Sequence, residues 1–228
     1  GTLDDNYPGV LMMSSAGNSG HGYGTIGLPN VSPFGLSVGA TTNNVIVGYG
    51  PFKDEPRFGN TTQHSDDIID FSSRGPSIIG DPKPDLMAIG AYGFTPSIVT
   101  KTKEDSKQEP FTLFGGTSMS APIVSGSAAL VMQTLNDKSE DYEPLRIKNI
   151  LMSTADDLYN DVMTQGAGLT NPNDAIKFAK GENDIFIVYN DASSNNIIEI
   201  LEKPIQSINT TAIGLDKIEI PTKNIQQT

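Results

Sequence analysis

Ser118 stands where a glycine pair, Gly115-Gly116, runs through Thr117 into the apolar and small-residue stretch TSMSAPIVSGSAALVMQ. The pattern predicts a helix from about residue 118 to 135. Pro122 falls in its first turn, where the N–H that proline lacks would have no intrahelical acceptor. A hydroxyl at such an end can cap the helix, the ordinary use of Thr or Ser there. It can also serve as a nucleophile beside free N–H donors and the positive dipole end, where an oxyanion is stabilised. A serine nucleophile needs a general base, and the base needs an orienting carboxylate. The chain has two histidines, His21 in NSGHGYG and His64 in TTQHSDD, and both precede Ser118. Both stand in loop sequence, His64 on a polar insertion beside two aspartates. No G-x-S-x-G elbow with a downstream histidine is present, which excludes the other α/β hydrolase arrangement.

The elements that must position Ser118 alternate between strand and helix. Residues 10–15 are a short apolar run between a Pro-Gly turn and AGNSGHGYG, the pattern of a buried parallel strand ending in a loop. Residues 34–40 (FGLSVGA) and 83–89 (KPDLMAI) repeat the pattern. Residues 45–67 and 100–109 read as polar surface segments, and 70–76 as a turn. The small residues Ser125, Gly126, Ser127, Ala128 and Ala129 predict a central helix in close contact on most sides. A second helix is expected over about 143–154, with Pro144 in its first turn and Leu145, Ile147, Ile150 and Leu151 on one face. A turn and a short helical piece, NDAIKFA, close this region. From residue 184 the texture changes to IFIVY, NIIEILE and LDKIEIP, separated by Asn/Ser-rich and Pro turns. The boundary is placed near Gly181, dividing the chain into 1–181 and a β-rich extension that begins at 182–228.

Composition narrows the function classes. The chain has 228 residues, 36% of them hydrophobic, enough for one sizeable core. A net charge of −12, from 27 acidic and 15 basic residues, argues against nucleic acid and anionic membrane surfaces as partners. No apolar run approaches the roughly 20 residues of a membrane span. The start, GTLDDNYPGV, lacks the basic and apolar regions of a signal peptide. There is no cysteine, so disulfides, thiolate metal sites and cysteine nucleophiles are excluded. Sequons at Asn30, Asn60 and Asn209 are compatible with glycosylation of an exported protein, and equally with chance. The acidic pairs Asp66-Asp67 and Asp156-Asp157 read as solvated charge rather than cation sites.

The whole string Gly116-Thr117-Ser118-Met119-Ser120-Ala121-Pro122 resembles the nucleophile motif of subtilisin-like serine proteases, G-T-S-M-[AS]-x-P. Ser14-Ser-Ala-Gly-Asn-Ser-Gly20 is similar to the A-A-G-N-x-G segment, in which the asparagine donates to the oxyanion; Asn18 holds that position. Gly27-Leu28-Pro29 resembles the floor of the pocket for the side chain before the scissile bond, with Gly27 leaving room and Pro29 suited to a cis turn. Residues 71–76 and 83–88 resemble the S-S-R-G-P and K-P-D-[LIV]-x-A-P elements, with Ile89 where the last proline is usual. Ile123 stands where many relatives have a histidine. Residues 166–171 (GAGLTN) are similar to the segment that closes the catalytic domain.

The resemblance, over about residues 10–179, implies the C-terminal part of a three-layer α/β domain with a mostly parallel sheet. It implies Ser118 as nucleophile and Asn18 as oxyanion donor, with Ser15, Ala16, Gly17, Gly27 and Thr117 binding a polypeptide substrate. It also implies an Asp and a His upstream. Neither His21 nor His64 has the H-G-T-H context, and no aspartate has the D-[ST]-G context, so these are expected in an N-terminal segment or another chain. Calcium sites of the family lie mostly in that upstream part, and none is assigned here. An extracellular or cell-surface location follows from the same likeness. A strand at 10–15 that belongs to a sheet's interior would need partners upstream, so this chain alone is expected to be neither active nor a stable monomer. The competing function is a non-catalytic structural or binding component of an extracellular assembly that retains the fold; intact Ser118 and Asn18 weigh against it.

Overall fold

The computed structural model describes residues 9–32, 34–42, 67–91, 93–96, 111–140, 142–183, 187–189 and 217–219. Three parallel strands form its centre: β1 (Met13–Ser15), β2 (Leu36–Thr41) and β3 (Leu86–Ile89), in the order β1-β2-β3. All six residues of β2 are buried, so the strand is covered on both faces, as near-continuous apolar parallel strands require. An antiparallel pair, β4 (Gly93–Pro96) with β5 (Phe111–Phe114), then leads into α1 (Thr117–Asp137). The remaining elements are α2 (Pro144–Ser153), α3 (Val162–Gln165), α4 (Pro172–Lys180), β6 (Ile187–Tyr189) and β7 (Lys217–Glu219), the last two paired antiparallel.

The main core joins this sheet to the helices. Leu36 and Val38 of β2, Leu86 and Ala88 of β3, and Val124, Val131 and Leu135 of α1 pack with Ile147, Ile150, Leu151 and Phe178. Burying each such aliphatic side chain contributes on the order of 1.5–3 kcal/mol. Beneath it lies an ionic cluster. Asp85 accepts from Lys83 at 2.6 Å and pairs with Lys148 at 2.9 Å, and its Oδ2 also accepts from the Ser37 N–H at 2.7 Å. The two lysines reach on to the carbonyls of Ser32 and Gly35 at 3.0 and 2.7 Å. The K-P-D element therefore ties β3, β2 and α2 together through one buried carboxylate. Burial holds the Lys148 ammonium below its ordinary pKa, and the attraction of Asp85 opposes that shift.

Several expectations change. The strand expected over 10–15 is regular only at Met13–Ser15; among the described residues it is half-buried at the sheet's edge, with no strand on the side where the sequence reading expects an upstream partner. Val10 and Met12 are 60% and 69% exposed. In α1, Ser127 and Ala128 are buried, but Ser125, Gly126 and Ala129 face outward. Neither Thr117 nor Ser118 caps α1: the N-cap is Gly116, which has no side chain to cap with. The second helix matches its expectation, with Pro144 at its start and Ile147, Ile150 and Leu151 buried. Helix α3 has no counterpart in the sequence reading, because four residues carry no readable periodicity; the Asp161 side chain caps it by accepting from the Met163 N–H. Asn30 does not fit a glycan acceptor. It is only 6% exposed, and its side chain bonds the Ser14 hydroxyl and the Ser15 carbonyl. The expected insertion at 45–67 (Asp67 apart), the loop at 100–109, His64, the sequons at Asn60 and Asn209, and the strand NIIEILE lie outside the described residues.

Candidate active site

Three chain segments meet at the start of α1. The helix is held there by β3 and its exit: the Gly116 N–H donates to the Gly90 carbonyl at 2.7 Å, and the Ser120 hydroxyl donates to the Ala88 carbonyl at 3.0 Å. Thr117 is buried and Ser118, next along the first turn, is exposed. The second segment is the loop that leaves β1. Ala16 is buried and its N–H donates to the Val38 carbonyl at 2.8 Å, which carries the loop out along β2. Gly17 then turns with φ +114, a conformation open to glycine.

Asn18 follows, and its side chain lies against the helix start. The carboxamide oxygen accepts from the Thr117 N–H at 2.9 Å and from the Thr117 hydroxyl at 2.8 Å. The Thr117 hydroxyl in turn accepts from the Gly17 N–H at 3.2 Å. An N–H can only donate, so the atom facing it must be the oxygen of Asn18, and the orientation of the amide is fixed by chemistry. The Asn18 nitrogen is therefore turned away from Thr117. It lies 3.2 Å from where a Cβ on Gly116 would sit, and Gly116 has φ +125. Glycine at 116 thus meets two demands, an unusual backbone angle and room for the Asn18 amide.

The other residues singled out from the sequence gather around the same loop. The Ser15 carbonyl, at the end of β1, accepts from Asn30. Gly27 is exposed, its backbone nitrogen lies 3.9 Å from the site of a Cβ on Gly17, and a Cβ on Gly27 itself would meet nothing within 4 Å. The Leu28–Pro29 bond is cis, as anticipated for that turn. Ser15, Ala16, Gly17, Asn18, Gly27 and Thr117 thus lie close to one another at the start of α1, with Ala16 and Thr117 buried. His21 is exposed in the loop between β1 and β2 and makes no hydrogen bond among the described residues.

Asp156 and Asp157 sit away from this loop and are engaged by protein donors. Asn171 donates to Asp156, while Gln165 and the Tyr159 N–H donate to Asp157 at 2.6 and 2.8 Å. Those two bonds, the Gln165 one foremost, hold the Asp157 carboxyl below the usual carboxylate range. Sequence reasoning gives no role to two residues that shape the loop. Asn30 reads as part of a sequon, and Ser73 as one letter of a motif. Only their long-range partners reveal what they hold.

The chain is similar to known proteins in sequence and in fold. The Subtilase family model matches residues 3–177. The serine protease AprX of Bacillus subtilis (strain 168) is 32% identical over 176 residues, covering 74% of this chain and 35% of that protein. Pyrolysin of Pyrococcus furiosus is 33% identical over 193 residues, covering 74% of this chain and 12% of that protein. Among solved structures, a lanthipeptide protease aligns with a TM-score of 0.51 at 21% identity, covering 74% of this chain and 50% of that one. The self-cleaved protease domain of PatA aligns with a TM-score of 0.50 at 24% identity, covering 76% of this chain and 51% of that one. The chain thus spans about a third or less of these two curated relatives and about half of these solved chains, and the structural likenesses speak for the fold. A parallel α/β core, a helix that opens on Gly116-Thr117-Ser118, and a family match over most of its length lead to one conclusion: this chain belongs to the subtilase family.

Proposed function

We propose that this chain is the nucleophile-bearing part of a serine endopeptidase. Ser118 attacks the scissile carbonyl of a polypeptide and forms the acyl-enzyme, while the Asn18 amide and the Ser118 N–H donate to the oxyanion. The observation that carries the reading is the pair of hydrogen bonds from Thr117 to the Asn18 oxygen. They commit that oxygen to the helix start and leave the amide N–H groups for another acceptor, in a place where negative charge is favoured by the helix end. Ser15, Gly17 and Gly27 line the substrate's path, and the buried Ala16 and Thr117 support it from behind. The open space over Gly27 favours a side chain of the substrate there.

The general base and its carboxylate come, in this proposal, from an upstream segment of the same protein or from a companion chain. The motif contexts of His21 and His64 support this, as does the flank of the sheet. The outer edge of β1 has no partner strand among the described residues, and Val10 and Met12, which lead into the strand, are exposed apolar residues. Unpaired strand edges invite partners. Residues 182–228 are read as the start of a β-rich extension, and an extracellular or cell-surface setting suits the family. The test is to label the intact protein with a fluorophosphonate and map the adduct. A single adduct on Ser118 is expected, and none on this chain when purified alone. Equal labelling of both, or an adduct elsewhere, would overturn the reading.

A further inference from the structure

The segment FSSRGP, at 71–76, runs beside the Asn18 loop and is bonded to it on both sides of Asn18. The Gly20 N–H donates to the Phe71 carbonyl at 3.0 Å, and the Ser73 N–H donates to the Gly17 carbonyl at 3.0 Å. The Ser73 hydroxyl accepts from the Ser19 N–H at 3.1 Å, across 54 positions of sequence. Ser73 therefore holds the residue before Asn18 with its main chain and the residue after it with its side chain. It is wholly buried, and its hydroxyl lies only 2.8 Å from where a Cβ on Gly17 would sit, so the two segments have no slack between them. Ser72 points the other way: its hydroxyl accepts from the Ala40 N–H at 3.0 Å and fixes the segment to β2. Strand β2 pairs with β3, whose exit holds Gly116 through the Gly90 carbonyl. The Asn18 loop and the Ser118 turn are thus both referenced to the same pair of strands.

An oxyanion donor contributes most when its position is fixed before charge develops. Thr117 fixes the oxygen of the Asn18 amide, but the backbone that carries Asn18 needs its own restraint. We propose that Ser73 supplies it and is a positioning residue for the Asn18 amide; this rests on the reading of Asn18 as an oxyanion donor. Ser73 touches neither substrate nor the reacting atoms and acts through Asn18. Loss of its hydroxyl leaves the Ser19 N–H without its acceptor and opens a gap beside Gly17. The loop then moves, and a misplacement of about 1 Å at a reacting centre can cost on the order of 10²-fold.

The test is a mutant cycle in the intact protein, with kcat counted per fluorophosphonate-titrated site so that unfolded molecules do not enter. Ser73→Ala is expected to lower kcat by about tenfold to a hundredfold, with KM changed by less than about twofold. In an Asn18→Ala background the same change is expected to cost less than about twofold, because the group being positioned is gone. Full additivity of the two changes would overturn the inference, and so would an unchanged kcat with only a lowered Tm. If Asn18→Ala alone keeps wild-type kcat, the oxyanion reading falls and Ser73 with it. If Asn18→Ala loses about 10²–10³ while Ser73→Ala loses nothing, only the role of Ser73 falls. Should Ser73→Ala not fold, Ser73→Cys fills the position with a weak acceptor, and the same cycle decides there.

Discussion

Helix α1 meets the rest of the molecule in two contrasting ways. At its start, bonds from the β1 loop and from β3 and its exit converge on Gly116, Thr117 and Ser120. On its outward side, Ser125, Gly126, Ala129 and Leu130 are exposed, and Ser125 meets Met13 of β1, a strand with no partner on its outer edge among the described residues. The first region stands on bonds within the chain. The second is an exposed side of small and apolar residues. In the function proposed above, the first region is the oxyanion side, and the second is where a segment bringing the base would dock.

The strongest way to break that contrast is at the nucleophile. Ser118→Ala in the intact protein should reduce turnover by about 10⁶ and abolish fluorophosphonate labelling. Measured peptide hydrolysis near the wild-type rate would end the proposal. Next comes the donor. Asn18→Asp keeps an oxygen for Thr117 to bond but takes away the amide N–H and adds a charge. It should lower kcat by at least about 10²–10³ and change KM far less, read from steady-state kinetics on one peptide substrate.

Gly116→Ala sharpens the comparison from the side of stability. The new Cβ would press on the Asn18 amide at 3.2 Å and hold φ +125 against its preference. A loss of about 1–3 kcal/mol in denaturant unfolding is expected, with a reduced kcat. The flank is tested by Gly126→Leu. A Cβ at 126 meets nothing within 4 Å in this chain. If the flank is a true surface, the change should leave the intact protein as stable, or up to about 1 kcal/mol more stable, because glycine is a poor helix former. If an upstream segment covers the flank, the intact protein should instead lose about 1–3 kcal/mol through overpacking.

The smallest effect concerns pH. The folded state holds Lys148 below its ordinary pKa, so between the folded and unfolded values the unfolded chain binds more protons. In that window, below about 10.4, this group makes stability rise with pH, with a slope of at most about 1.4 kcal/mol per pH unit. Lys148→Met should flatten that part of the stability profile, with Asp85 still paired to Lys83. An unchanged slope would count against the burial of the ammonium.

Much of this was legible along the chain because it is local. The strand patterns at 34–40 and 83–89, the proline that opens α2 and the periodicity of Ile147, Ile150 and Leu151 report on nearest neighbours and one buried face. The family likeness was legible for the same reason, since Gly116 to Pro122 is a contiguous string. What could not be read was which particular groups meet across space. Small residues in α1 spoke of contact all round, but cannot say which side the partner comes from. A Thr-Ser pair at a helix start looks like a cap, and only the approach of Asn18, 99 positions away, shows where the Thr117 hydroxyl goes. Asn30 carries the letters of a sequon whether it is exposed or, as here, buried with its amide bonded to the end of β1.

The sequence by itself determined the central strands and the longer helices, the α/β order and the identity of the chemical groups, though not α3 or the β4–β5 pair, because dihedral preference and hydrophobic periodicity act between neighbours. The tertiary structure alone decided which of those groups meet. Thr117 faces Asn18 and Ser73 brackets it because β2 and β3 pair in one register and bring three distant loops to the same end of the sheet. Hydrogen bonds are short-ranged and directional, so they exist only after that register has been set.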